Sequence, residues 1–330
     1  MEKENVSRKN TVRIVGYLKE NLLEVVKNKD GDSVIKGSLI VATDDLSSHK
    51  VQFYVNENTR SGEHNDDYDA LAELLPEKTM SIASYLKSTP TANFQVAAQM
   101  STKIWVMARF DEYARRSGER EDSMILLKGY KAGFKQATDT SPFTPAASFT
   151  IDLYINKIED ELDSNENPTG RVKLDGYFPV YDGSACHIDF VAPVEDNIAA
   201  YIKRNYKPTN TVTLTGDLIS TMEIIKGEAE DNQEFFGRPA EEQRTTVFVR
   251  ERRIYGGSKT PIADGEPGSI TSKDLKARLV VREEKIKKAS ASSKARAEHA
   301  ESSAPARGFS DEPGNSVGKD IASAAEDFDF

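Results

Sequence analysis

Apolar and polar residues alternate with a period of two along much of the chain, the mark of strands with one buried face. In Val12-Arg13-Ile14-Val15-Gly16-Tyr17-Leu18, one face carries Val12, Ile14, Gly16 and Leu18, and the other carries Arg13, Val15 and Tyr17. The same reading predicts strands at Val34–Ala42, His49–Asn56, Lys103–Phe110, Phe149–Ile158, Ala185–Ala192, Val212–Ile219 and Thr245–Tyr255, with a hairpin around Met124–Gln136. Helical spacing takes over in Tyr68–Leu75, continues through Ile82, Tyr85 and Leu86 past Pro76, and returns at Glu195–Arg204.

A run of turn formers, Asp163 to Gly170, holds no apolar residue and divides the pattern in two. The phrase Val12–Leu18 recurs beyond it as Val172–Phe178, matching in type at five of seven positions. Each half reads as three strands, a short helix and two strands, the order of a five-stranded Greek-key barrel with its helix between the third and fourth strands. Gly16 suits a long first strand that must bend to serve both sheets. The predicted fold is therefore mainly β: two tandem five-stranded OB-like Greek-key barrels with short helices, plus a disordered C-terminal tail. Residues 1–162 form the first barrel, with Gly118–Gln136 as an inserted or extended hairpin. Residues 171–256 form the second, residues 257–300 a basic and partly helical linker, and residues 301–330 a disordered acidic tail.

Composition sharpens the C-terminal end of this picture. Beyond Ile286 the only apolar residues other than alanine are Phe309, Val317, Ile321, Phe328 and Phe330, too few to offset the entropy of ordering. From Lys273 to Ala300 there are nine bases and four acids, a net of +5; from Glu301 to Phe330 there are seven acids and two bases, a net of −5. The 330 residues total −10, so residues 1–272 are themselves at −10. No apolar run approaches the roughly 18 residues that cross a bilayer, so no membrane association is expected. The residues Met1–Asn5 lack the apolar core of a secretory signal. The single cysteine, Cys186, excludes an intramolecular disulfide, and the expected setting is the reducing cytoplasm (that of the host cell if the protein is phage-encoded).

Catalytic patterns are missing from the sequence. His49, His64, His187 and His299 lie in different segments, and no phosphate-binding glycine loop or nucleophile elbow occurs. Cys186 sits in an alternating strand and reads as a small buried hydrophobe. The expectation is a protein that is not an enzyme and needs no cofactor or metal.

Basic and aromatic residues instead share strand faces. In Lys103–Phe110, one face carries Ile104, Val106, Ala108 and Phe110, and the other sets Trp105, the only tryptophan, with Lys103, Met107 and Arg109. In Leu127–Lys135, Lys128, Lys131 and Lys135 interleave with Tyr130, Phe134, Gly129 and Gly133. A base stacked on an aromatic ring gains about 1–3 kcal/mol, and neighbouring cations neutralise the phosphates. The candidate nucleic-acid-binding residues are Arg13, Tyr17, Lys103, Trp105, Arg109, Lys128, Tyr130, Lys131, Phe134 and Lys135. The second half offers only Lys173, Asp175 and Tyr177, then Phe248, Arg250 and Arg252, so binding is expected on the first barrel.

The chain closes on Asp327-Phe328-Asp329-Phe330. Tandem or single five-stranded barrels followed by a flexible linker and an acidic tail with a terminal Phe resemble the single-stranded DNA-binding proteins of bacteria and their phages. The resemblance implies sequence-nonspecific binding of single-stranded DNA in replication, recombination and repair. It also implies recruitment of partners such as a helicase, primase or polymerase through Asp327, Phe328, Asp329 and Phe330. Such tails repel nucleic acid, which reconciles an acidic whole with a local basic groove. Two other readings compete: a phage structural or assembly protein using its barrels for protein contacts, and a transcription or recombination accessory factor that reads a partner.

Overall fold

The computed structural model describes residues 8–29, 31–117, 120–135, 142–163, 165–226 and 244–303. Its strands are β1 (Asn10–Asn21), β2 (Glu24–Lys27), β3 (Ser33–Ala42), β4 (Ser48–Asn56), β5 (Lys103–Ser117), β6 (Arg120–Phe134), β7 (Ala146–Leu162), β8 (Pro168–Pro179), β9 (Ala185–Ala192), β10 (Thr211–Lys226) and β11 (Arg244–Gly257). Between β4 and β5 lie α1 (Asp66–Ala72), α2 (Ile82–Ser88) and α3 (Phe94–Met100); α4 (Ile198–Asn205) lies between β9 and β10, and α5 (Ser272–Ser303) follows β11. Helices α1, α2 and α3 start where the sequence supplies a cap. The side chains of Asn65, Ser81 and Asn93 accept from the N–H groups of Asp67, Ser84 and Val96, each worth about 1 kcal/mol.

Strand pairing closes on itself twice. One ring runs β1–β5–β6–β4–β3 and back to β1, with β4 and β6 parallel. The other runs β7–β10–β11–β9–β8 and back to β7, with β9 and β11 parallel. The two first strands then pair with each other, antiparallel, from Asn10↔Ile151 to Val15↔Ala146. From Tyr17 onward β1 transfers to β3. Gly16 stands at the transfer, where a Cβ would run into the carbonyl oxygen of Ala42; the bend needs a residue without one.

This pairing corrects four sequence readings. The strand placed at the end of the first half, β7, opens the second ring. The turn cluster Asp163–Gly170 belongs to the β7–β8 hairpin, where the Asp163 carboxylate accepts from the N–H groups of Asn165 and Asn167, so it does not mark the border at 162–171. By ring position β1 corresponds to β7, and β8 to β3, so the echo between Val12–Leu18 and Val172–Phe178 joins strands that are not equivalent. Both alternate because any half-buried strand does. Likewise Gly118–Gln136 is no insertion: β6 is a ring strand, paired with β5 from Ile104↔Phe134 to Ser117↔Arg120.

One hydrophobic cluster runs through both rings. Phe110 of β5 lies 5.8 Å from Phe149, 6.4 Å from Phe190 and 6.5 Å from Phe178, all three from the second ring. Cys186 is buried, and burial pushes its thiol well above the ordinary range. No described helix is long and apolar enough to cross a membrane.

The segment read as a basic, partly helical linker, with too little apolar surface to order beyond Ile286, is one helix from Ser272 to Ser303; residues 304–330 lie outside the described residues. The Thr271 hydroxyl accepts from the Asp274 N–H and caps α5. Leu275 packs with Leu279 against Tyr154, Ala185 and Ile270, and Ile286 is buried further along. Of its five apolar residues other than alanine, only Leu275, Leu279 and Ile286 pack inward, too few to fold alone, and tertiary contacts supply the rest. Chief among these, Arg282 donates to both oxygens of Glu112 at 2.7 Å, and the Glu112 side chain is 3% exposed.

Breaking a buried pair by removing one partner costs about 3–5 kcal/mol. Arg282→Ala is therefore expected to lower stability by about that much in urea unfolding. A loss under about 1 kcal/mol, the value of a surface pair, would show that the pair does not fasten α5.

Candidate nucleic-acid interface

Residues directly opposite in a sheet point to the same side, so register assembles the outward face of the first ring. On β5 it carries Lys103, Trp105, Met107 and Arg109. From β1 come Tyr17 opposite Lys103, Val15 opposite Trp105 and Arg13 opposite Met107. From β6 come Gly133 opposite Trp105, Lys131 opposite Met107 and Lys128 opposite Arg109, while the Lys135 N–H donates to the Lys103 carbonyl at 2.8 Å. Eight predicted residues thus meet on one face: Arg13, Tyr17, Lys103, Trp105, Arg109, Lys128, Lys131 and Lys135.

A bulge makes this possible. Lys131 faces Met107 while Gly129 faces Ala108, leaving Tyr130 as the extra residue of β6. Strict alternation would send Lys128 and Lys131 to opposite sides; the extra residue brings them to the same one. Tyr130 stays beside the face, with the Arg109 guanidinium over its ring at 4.7 Å. Phe134 does not join it. It stands opposite the core residue Ile104, on the other side of the sheet.

The aromatic residues differ in availability. The indole of half-buried Trp105 lies against β6 at Gly133, where a Cβ would stand 3.1 Å from ring atoms. Tyr17 is engaged: it packs with the Ala42, Ile82, Ala97 and Ala98 cluster, and its ring meets Phe143 edge-on at 5.0 Å. Lys103 Nζ lies 5.1 Å over the same Phe143 ring. Sequence reading missed Phe143 because it sits in Ser141-Pro142-Phe143-Thr144-Pro145, which has no periodicity.

Lys131 reaches Asp67 at 3.7 Å and Lys128 reaches Asp111 at 4.0 Å. The Lys131–Asp67 pair is exposed and worth at most about 1 kcal/mol, so a phosphate can displace it. Among the described residues, Arg13, Lys103 and Arg109 have no carboxylate partner.

The second ring closes four of its cations on carboxylates, while Arg250 is exposed and has no carboxylate partner among the described residues. Arg171 meets Glu251 at 2.6 Å and Glu161 at 3.0 Å, Arg253 meets Glu251 at 3.1 Å, Arg252 meets Asp189 at 2.9 Å, and Lys173 meets Glu161 at 3.6 Å. Burial would raise the Glu251 pKa, but hydrogen bonds from Arg171 and Arg253 hold its carboxyl below the usual range. Nearby, the Asp175 hydrogen bond raises the His187 pKa against burial, and Tyr177 lies 5.2 Å from the His187 ring. Among the described residues no group of three or more His, Cys, Asp or Glu is placed to hold a metal ion. The predicted partner-binding residues Asp327, Phe328, Asp329 and Phe330 lie outside the described residues.

Two crystal structures of the single-stranded DNA binding protein from Thermus aquaticus are similar to the chain. A deletion mutant shares 10% identity at a TM-score of 0.44, over 79% of this chain and 98% of that one. The wild type shares 9% at 0.42, over 80% and 98%. A replication protein A heterotrimer bound to single-stranded DNA shares 10% at 0.19, over 66% and 46%. No curated protein matches the sequence significantly. A family model does: YorF matches residues 9–292, and the chain belongs to the YorF family.

Proposed function

We propose that this chain is a sequence-nonspecific single-stranded DNA-binding protein and not an enzyme, with its two rings serving as OB-type barrels. The strand lies on the outward face of β1, β5 and β6. The observation that carries this reading is the registered row of Trp105 among Arg13, Lys103, Arg109 and Lys131, on a chain whose total charge is −10. A core needs no such row. Lysine and arginine neutralise phosphates there, and the indole offers a face to a base without reading its identity. In this role the protein coats exposed strands during phage-type DNA replication or recombination in the cytoplasm. The acidic, aromatic tip Asp327–Phe330 recruits a helicase, primase or polymerase by placing a ring in an apolar pocket rimmed with cations.

Trp105 is the only tryptophan, so its fluorescence reports on the face directly. Titration with oligo-dT is expected to quench it. Trp105→Ala should weaken binding by about 1–3 kcal/mol, and Arg13→Ala or Lys103→Ala should each lower the salt slope by about 0.7. Unquenched fluorescence, together with wild-type affinity in a folded Trp105→Ala variant, would contradict the proposal.

A further inference from the structure

Beside the face just described, a cleft of about 1150 Å³ opens between the two rings. Its walls are the loop between β4 and α1, the Arg109, Lys128 and Tyr130 stretch, the β8–β9 turn and Arg278 of α5. Five bases line it against three acids. Each acid already faces a lysine: Asp67 faces Lys131, Asp111 faces Lys128 and Asp182 faces Lys285. Arg278 is paired with Asp274 at 2.8 Å, but Arg8 and Arg60 are differently placed. Arg8 donates to the carbonyls of Gly268 and Ser269 at 2.6 and 2.7 Å, neutral acceptors and not carboxylates. Arg60 is exposed and, among the described residues, has no carboxylate partner. On an acidic chain, a concave basic surface concentrates potential for a polyanion.

At the mouth of this cleft stands Tyr181, 92% exposed. Burial cannot explain it, because the ring covers almost nothing. The turn beneath it is nonetheless firmly held. The Val180 N–H donates to the Ser184 carbonyl at 2.9 Å, Gly183 takes a φ of +88°, and the Asp182 carboxylate accepts from the Ser184 N–H at 2.9 Å. From outside, α5 clamps the turn through Arg278 to the Val180 carbonyl at 3.4 Å and through the Lys285–Asp182 ion pair. An aromatic ring on a fixed turn, facing a basic cleft, is a platform for an unstacked base. The cleft is larger than typical small-molecule pockets of about 300–1,000 Å³. It runs on from the first-ring face, because Arg109 and Lys128 belong to both and Tyr130 stands beside that face.

We propose that this cleft is a second contact zone for the same single-stranded DNA, with Tyr181 stacking a base and Arg8 and Arg60 meeting phosphates; the proposal rests on the strand-binding reading of the first-ring face. A strand leaving that face enters the cleft and passes under the turn that α5 holds.

The experiment compares fluorescence anisotropy of the full chain with an oligo-dT of about 6 nucleotides, within the span of one barrel, and one of about 25, beyond it. Tyr181→Ala is expected to lose about 5- to 100-fold in affinity for the long oligonucleotide and little for the short one, with Tyr181→Phe close to wild type. Arg60→Ala should lower the salt slope for the long oligonucleotide by about 0.7. Both side chains are exposed, so the variants keep their fold. Wild-type affinity of both Tyr181→Ala and Arg60→Ala for the long oligonucleotide, while Trp105→Ala weakens it, overturns the cleft and leaves the face standing. If the wild type binds neither oligonucleotide, the face fails and the cleft fails with it.

Discussion

The pairing of β1 with β7 is the constraint on which the rest depends. Each first strand spends its opening half on the other ring and its closing half on its own second strand, and a strand that does both must bend sharply. In β1 the bend falls at Gly16, where the neighbouring Ala42 carbonyl leaves no room for a side chain. The consequence is a common interior. Phe110 leaves the first ring to pack among Phe149, Phe178 and Phe190, and the two rings meet along a seam whose outer side is the basic cleft.

Charge follows the same geometry. A chain at −10 has few free cations to offer, and the two rings use theirs differently. In the second ring, Arg171, Arg252 and Arg253 are fastened to Glu161, Asp189 and Glu251 and hold strands together. In the first ring, Arg13, Lys103 and Arg109 meet no carboxylate among the described residues, and Lys131 meets only the exposed Asp67, which leaves these four available. Helix α5 links the two, since Arg282 fastens it to Glu112 of β5 while Arg278 and Lys285 hold the β8–β9 turn.

Local pattern made most strands legible, because alternation reports a buried face wherever a strand is. It could not say which strand closes which ring. Partner choice for β7 and β8 rests on contacts far apart in sequence, so β7 fell on the wrong side of the division. The core and outward faces of β1 and β5 were readable in the same way. The single-residue bulge at Tyr130 was not, and it decided that Lys128 joins the face and Phe134 does not. Phe143, Tyr181, Arg8 and Arg60 carry no periodic signal, and only the fold brings them to the face and the cleft. The docked part of α5 was hidden for a related reason: its stability comes from Glu112 and the second ring, not from its own composition.

The most direct measurement is photo-crosslinking of the full chain to an oligonucleotide carrying 4-thiothymidine, with the attached peptides identified by mass spectrometry. The account predicts crosslinks within residues 103–109 and 128–135, with a further set at the turn 179–183. Crosslinks confined to the second ring's outward strands, at Lys173 and Arg250–Arg253, with none on the first ring, would contradict it.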